Sequence, residues 1–344
     1  MKRLPIVLLW GLFPAWCGTV SADPVDAGLR RFESTQPEMG VPFKIILYAP
    51  DEATANRAFQ AAFSRIAELN HILSDYDSDS ELSRLSRTAP CEQGVHVSDP
   101  LWLVLVRSQQ LAEQSGGAFD VTVGPYVRLW RRARRSKEMP SPERLAEARE
   151  AVGYQFLKLD EKNHTAQLLK PNMRLDLGGI AMGYAVDETL KLLRLRNITR
   201  ALVDASGDIG VSEPPPGKQG WTIGVVPLSS EGTPSKQISI ANAAVTTAGD
   251  AFQHVVIDGR RYSHIVDPHT GLGMTDRTGV TVIATDCITA DGLDTAVAAM
   301  GPKAGLELIE KTPGAAAFIV RPTDREPEIF QSRRFGAFVV PMKN

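Results

Sequence analysis

The second half of the chain narrows the fold most. Short runs at 221–226, 236–240, 253–257, 261–266 and 279–284 alternate apolar with polar residues, and Asp258-Gly259 stands between two of them as a hairpin turn. That pattern describes a largely antiparallel sheet rather than a doubly wound parallel one. Helices are predicted at 51–73, 100–117, 141–152, 179–195 and 303–311, a small-residue loop at 204–210 and closing strands at 315–321 and 334–340, so the class is α+β.

The stretch Leu175 to Asp187, LDLGGIAMGYAVD, carries the strongest local constraint. It reads as a short strand, a glycine turn and a helix whose first turn has little side-chain bulk. Exposed backbone N–H groups at such a junction suit a phosphate, and tight packing for core reasons is the plainer alternative.

The N-terminal residues have their own pattern. Lys2 and Arg3 precede an apolar run from Leu4 to Trp16, and Val20-Ser21-Ala22 forms a small-residue cleavage site. This is the pattern of a signal peptide over 1–22, so residues 23–344 are expected as one exported, periplasmic domain. Trp16 before Cys17 fits a lipoprotein poorly, because that processing wants a small residue there. Cleavage takes two of 38 basic residues and none of 40 acidic ones, moving the net charge from −2 to about −4. No basic block suggests nucleic acid. Cys91 and Cys287 could form a disulfide or stay as buried thiols, and with six scattered histidines they do not make a zinc site.

Several segments carry residues suited to chemistry. Tyr76 lies in the Ser/Asp-rich loop SDYDSDSELSRLS, where it could stack on a planar ligand or pack against the core. In AFDVTVGPYVRLW the chain leaves a helix, exposes Ala118, Phe119 and Asp120, and restarts a helix near Gly124-Pro125. The cluster Arg131, Arg132, Arg134 and Arg135 that follows reads as a solvated helix face, with a docking patch as the alternative. His264, near a strand end in RYSHIVDPHTG, is either structural or a base poised near neutral pH. Asp291, Asp294 and Thr295 share one helix face, offering oxygen ligands to Mg²⁺ or a cap to the helix dipole.

Taken in order, YDSDSELSRL, GGAFDVTVGPYVRLW, LDLGGIAMGYAVD, a loop ending in Gly207-Asp208, RYSHIVDPHTG and TADGLDTA resemble the signature segments of the ApbE family, the FAD:protein FMN transferases. The resemblance runs from about Phe43 to Gly301. It implies a tunnelling-fold-like scaffold that binds FAD with Mg²⁺ at the pyrophosphate. It further implies transfer of FMN to a threonine or serine of an exported acceptor protein in a membrane redox system, with release of AMP. Some members instead hydrolyse FAD to FMN and AMP.

By the same resemblance, the Gly179 carbonyl, Asp291 and Thr295 would hold Mg²⁺, with Asp294 as a further ligand. FAD contacts would fall on Met39, Tyr76, Ala118, Phe119, Asp120, Asp176, Met182 and Ile265, and His264 would be the general base. Three positions depart from the pattern: Met182 replaces a common lysine, and Ser206 and Ala248 replace a usual glycine and serine. A flavin-binding protein without efficient transfer, and an exported FAD pyrophosphatase, are the alternative readings. No acceptor-like motif occurs in the chain, so self-flavinylation is not expected.

Overall fold

The computed structural model describes residues 28–225, 236–249, 254–323 and 325–342. The segment 1–22, expected as a signal peptide, lies outside them. Among the described residues no helix is long and apolar enough to cross a membrane.

In chain order the elements are β1 (Arg30–Glu38), β2 (Val41–Ala49), α1 (Glu52–Leu73), α2 (Glu81–Arg87), β3 (Val95–His96), α3 (Asp99–Gln114), α4 (Gly124–Ser136) and α5 (Pro142–Arg149). The middle of the chain adds β4 (Leu157–Asp160), β5 (Thr165–Leu168), α6 (Ala181–Leu195), β6 (Ala201–Ala205), β7 (Asp208–Val211), β8 (Trp221–Val225), β9 (Lys236–Ile240) and β10 (Ala243–Ala248). The last part holds β11 (His254–Ile257), β12 (Arg260–Ser263), β13 (Gly279–Ala284), α7 (Cys287–Met300), α8 (Pro302–Lys311), β14 (Ala316–Arg321), β15 (Glu328–Gln331) and β16 (Val339–Val340).

An eight-stranded sheet, ordered β1-β2-β6-β7-β10-β13-β14-β15, forms the centre, and each of its pairings is antiparallel. The alternation of β2 shows how it is covered. Phe43, Ile45 and Leu47 join the core beneath α1, α6 and α7, while Ile46 points to the other face. There the small sheet β16-β9-β8 lays Trp221, Ile223, Val225, Ile238 and Ile240 over Ile46, Leu202 and Phe318. A strand covered on both faces reads as almost continuously apolar, which is why β2 and β13 do.

Local sequence places the helices. Asp51 caps α1 by accepting from the Thr54 N–H at 2.7 Å, and Ala55, Ala58, Phe59, Ala62, Ile66, Leu69 and Leu73 then recur on its buried face. Ser80 caps α2 and Ser141 caps α5 in the same way. The Asp258-Gly259 hairpin forms as expected, with φ of 49° and 75°.

Four expectations are corrected. Leu175–Leu177 is not a strand, since the segment makes only one isolated bridge, Arg174 to Val123. The strand expected over 334–340 is a 3-10 turn at Phe335–Phe338 followed by the two-residue β16. The small-residue loop 204–210 is the hairpin β6–β7, turning at Ser206-Gly207. Strands β1, β10 and β15 were not expected, because RRFESTQPE, AAVTTA and EIFQ lack a strong apolar alternation. Cys91 and Cys287 are free thiols, and burial pushes the Cys287 thiol well up.

Candidate functional site

The glycines of Leu175–Asp187 let α6 lie against α7. A methyl group on Gly183 would sit 2.4 Å from the Cys287 carbonyl oxygen and 2.8 Å from Asp291 Cβ. One on Gly179 would sit 2.8 Å from Thr295 Oγ1. This close approach joins Gly179, Asp291, Asp294 and Thr295 into one cluster. Asp291 accepts from the Gly183 N–H at 2.8 Å, and the Thr295 hydroxyl lies 3.4 Å from Asp294. Gly178 is exposed and Gly179 and Thr295 are half-buried, so this end of the cluster meets solvent while the carboxylates behind it are buried.

The carboxylates are not helix caps. The start of α7 is capped by Asp286, which accepts from the Thr289 N–H at 3.0 Å, and by Asp187, which accepts from Cys287 and Ile288 at 2.8 Å each. Asp291 and Asp294 stand a turn farther in, and Asp208 of β7 faces them. Burial raises all three carboxyls well above the usual carboxylate range. Asp294 adds to the rise at Asp291, Asp208 adds to that at Asp294, and Asp291 and Asp204 add to that at Asp208. No ion pair among the described residues reaches any of the three. Three buried acids without a counter-charge form a pocket of unmet demand for positive charge.

A second cluster adjoins the first through Asp176. Its carboxylate accepts from the Gly178 N–H at 2.9 Å and from Arg131 at 3.0 Å. Arg131 also clasps Asp75, and its guanidinium lies 3.9 Å from the centre of the Tyr76 ring. The Tyr76 side of this group is open, because the residue is 75% exposed and does not pack into the core. Burial and the neighbouring Asp75 push Asp176 up to about 6, against the pull of Arg131. The reading of Arg131 as part of a solvated face is therefore corrected. Nothing in its sequence surroundings separates it from Arg132 and Arg135, which are exposed.

The other expected positions lie around this pair of clusters. Ala118 is half-buried, but Phe119 and Asp120 are buried, which corrects their expected exposure. Phe119 belongs to the main core and offers no free ring face. The Asp120 carboxylate accepts from the Thr122 N–H and hydroxyl and from the Tyr154 N–H, each at 2.7 Å, so its side chain organises the loop. Gly117, just before them, approaches His269 to within 3.3 Å of an added methyl group, which brings this loop beside the His264 segment.

His264 and Ile265 are half-buried just past β12. Ile265 accepts from the Met274 N–H at 2.9 Å, and Gly271 is seated on Tyr126 and accepts from Trp130 Nε1 at 2.8 Å. Thus α4 fixes the His264 segment on one side and delivers Arg131 on the other. Met39, with φ of 49°, sits in the β1–β2 turn, and Met182 is half-buried in the first turn of α6. Asp75 and Asp187 are site-forming residues that had not stood out in the sequence, while Arg131 and Asp208 stood out there only as part of a basic cluster and of a family segment.

The architecture defines a class through its likeness to solved structures. The flavin transferase ApbE from Vibrio cholerae matches with a TM-score of 0.81 at 29% identity, covering 90% of this chain and 99% of that one. The Pseudomonas stutzeri flavinyl transferase ApbE, in its apo form, matches with a TM-score of 0.80 at 28% identity, over 90% and 97%. Among curated relatives, the FAD:protein FMN transferase of Haemophilus influenzae is 30% identical over 276 residues, covering 78% of this chain and 80% of its own. The ApbE family pattern matches residues 39–319, and the chain belongs to the ApbE family.

Proposed function

We propose that this protein is an exported, periplasmic FAD:protein FMN transferase that uses Mg²⁺ and moves FMN from FAD to a threonine or serine hydroxyl of an acceptor protein, releasing AMP. The observation that carries the reading is the buried carboxylate cluster, unbalanced by an ion pair among the described residues and opening to solvent beside Gly179 and Thr295 in a chain of the ApbE family. Among the described residues no three histidine, cysteine or carboxylate side chains converge into a ready metal site. The donor set therefore needs the Gly179 carbonyl and the Thr295 hydroxyl together with Asp291 and Asp294. Such a set of hard oxygens suits a small divalent cation.

The chemistry asks little covalent work of the protein. Bound Mg²⁺ would supply charge neutralisation at the pyrophosphate. His264 takes the proton of the acceptor hydroxyl as its oxygen attacks the FMN-side phosphorus. A new phosphoester P–O bond forms, the anhydride P–O bond breaks, and the electron pair leaves with AMP. Positioning and electrostatics carry most of the barrier reduction in such a transfer. The exposed Tyr76 ring offers a face to one planar ring of FAD. The acceptor is expected in a membrane-bound redox system.

The test is incubation of the purified protein with FAD, MgCl₂ and a peptide bearing a threonine acceptor, followed by mass spectrometry. Flavin joined to the peptide, with stoichiometric AMP, supports transfer. Free FMN and AMP identify a pyrophosphatase, and unchanged bound FAD identifies a flavin-binding protein. His264→Ala is expected to retain FAD and to lose transfer about 100-fold or more. A His264→Ala variant as fast as the parent removes the base assignment.

A further inference from the structure

We propose that Arg131 is a positioning residue for the flavin nucleotide, holding the Tyr76 ring as a platform for a planar ring of FAD and tying that platform to the Gly178-Gly179 turn. The inference rests on the transferase reading and adds to it a residue and a specificity role.

The geometry of the arginine points to this role. Its side chain is 17% exposed, and the two carboxylates it bridges are 17% and 9% exposed. A guanidinium enclosed with two carboxylates is held in one orientation by its planar fork of donors. Its guanidinium carbon lies over the Tyr76 ring, 3.9 Å from the centroid, and the residue stays 75% exposed. Tyr76 stands in a loop pinned by Ser74 Oγ, which accepts from the Tyr76 and Asp77 N–H groups at 3.2 and 3.3 Å. An aromatic presented to water in this way, with cation–π support behind it, is preorganised to receive a second flat group on its free side.

The same arginine reaches the other end of the site. Asp176 accepts from both Arg131 and the Gly178 N–H, and the next residue is the Gly179 that meets Thr295. One chain of contacts therefore runs from the ring platform to the turn expected to face the pyrophosphate. Arg131 Nε is buried without a hydrogen-bond partner, so the guanidinium is not placed to satisfy its own donors fully. Its position serves the two acids and the ring instead. The first turn of α6 holds Met182 and no basic side chain, and Arg131 brings a cation to this stretch through Asp176.

The experiment compares the full-length parent with Arg131→Met, Arg131→Lys, Tyr76→Ala and the Arg131→Met/Tyr76→Ala double variant. FAD binding is read by flavin fluorescence quenching, and transfer by steady-state kinetics, with circular dichroism as the check on folding. Arg131→Met is expected to raise KM for FAD about tenfold while kcat changes less than about twofold. Lysine is expected to restore only part of the loss, because it lacks the planar fork. On the Tyr76→Ala background the Arg131→Met change is expected to add less than about threefold, since the residue it supports is gone.

An unchanged KM in Arg131→Met overturns the proposal, as does an undiminished effect in the double variant or a fall in kcat at constant KM. Tyr76 is exposed and not needed for folding, so a normal KM in Tyr76→Ala overturns the platform even if Arg131→Met unfolds. A parent that neither quenches FAD nor transfers flavin overturns the transferase reading as well. A parent that binds FAD normally while the variants match it overturns this inference alone.

Discussion

Replacing Gly183 by alanine should separate α6 from α7 by a small, measurable amount. The new methyl carbon would lie 2.4 Å from the Cys287 carbonyl oxygen and 2.8 Å from Asp291 Cβ, and the first of these is backbone that cannot swing away. Restoring ordinary contact requires a shift of about 1 Å, and overpacking of this kind costs about 1–3 kcal/mol. Alanine recovers at most about 1 kcal/mol of helix propensity, and less in a first helical turn. A net loss of about 1–2 kcal/mol follows, which lowers Tm by roughly 1.5 °C per kcal/mol in a domain of this size. The shift also lengthens the 2.8 Å bond from the Gly183 N–H to Asp291, so Mg²⁺-dependent transfer should fall with stability. Thermal unfolding followed by circular dichroism reads the first effect, and Mg²⁺ titration of transfer reads the second. Gly336→Ala is the control, because nothing lies within 4 Å of a methyl group there. If Gly183→Ala raised Tm, as propensity alone would have it, the contact between α6 and α7 would not be the constraint argued here.

Two further perturbations test other parts of the structure. Asp176 and Asp187 are pushed up to about 6 and about 7 from an unfolded value of 3.8. The folded chain therefore holds more protons than the unfolded one across that range, and stability of the metal-free protein should fall as pH rises from about 4 to 7. A Tm that climbs over the same interval would contradict it. Ser206 has φ of 56° in the two-residue turn between β6 and β7, a conformation that costs a non-glycine residue about 1 kcal/mol or more. After the greater entropy of glycine in the unfolded chain, Ser206→Gly should still stabilise by about 0.5 kcal/mol in urea denaturation. A destabilised variant would show that the hydroxyl, not the backbone, is what the turn uses.

Local signals and contact signals separate clearly in this molecule. Periodicity and caps suffice for α1, where Asp51 and the recurring alanines and leucines sit next to one another along the chain. They suffice for the Asp258-Gly259 hairpin, and they place Asp291, Asp294 and Thr295 on one helix face. They fail for β1, whose polar sequence becomes a strand only because β2 offers it nine residues of partner. They fail for Leu175–Leu177 in the opposite sense, since an apolar run with no neighbouring strand is core packing without a ladder.

What the sequence by itself determined is the α+β class with its antiparallel pairing, the family segments and the helix that carries the acids. Those properties depend on neighbours a few residues apart. Only the tertiary structure decided that Asp208 faces Asp291 and Asp294, that Asp187 rather than Asp291 caps α7, and that one arginine of a basic run turns inward to Asp75, Tyr76 and Asp176. Burial and charge pairing between elements 45 to 100 residues apart are set by the packing of whole helices. No local pattern distinguishes Arg131 from the exposed arginines beside it.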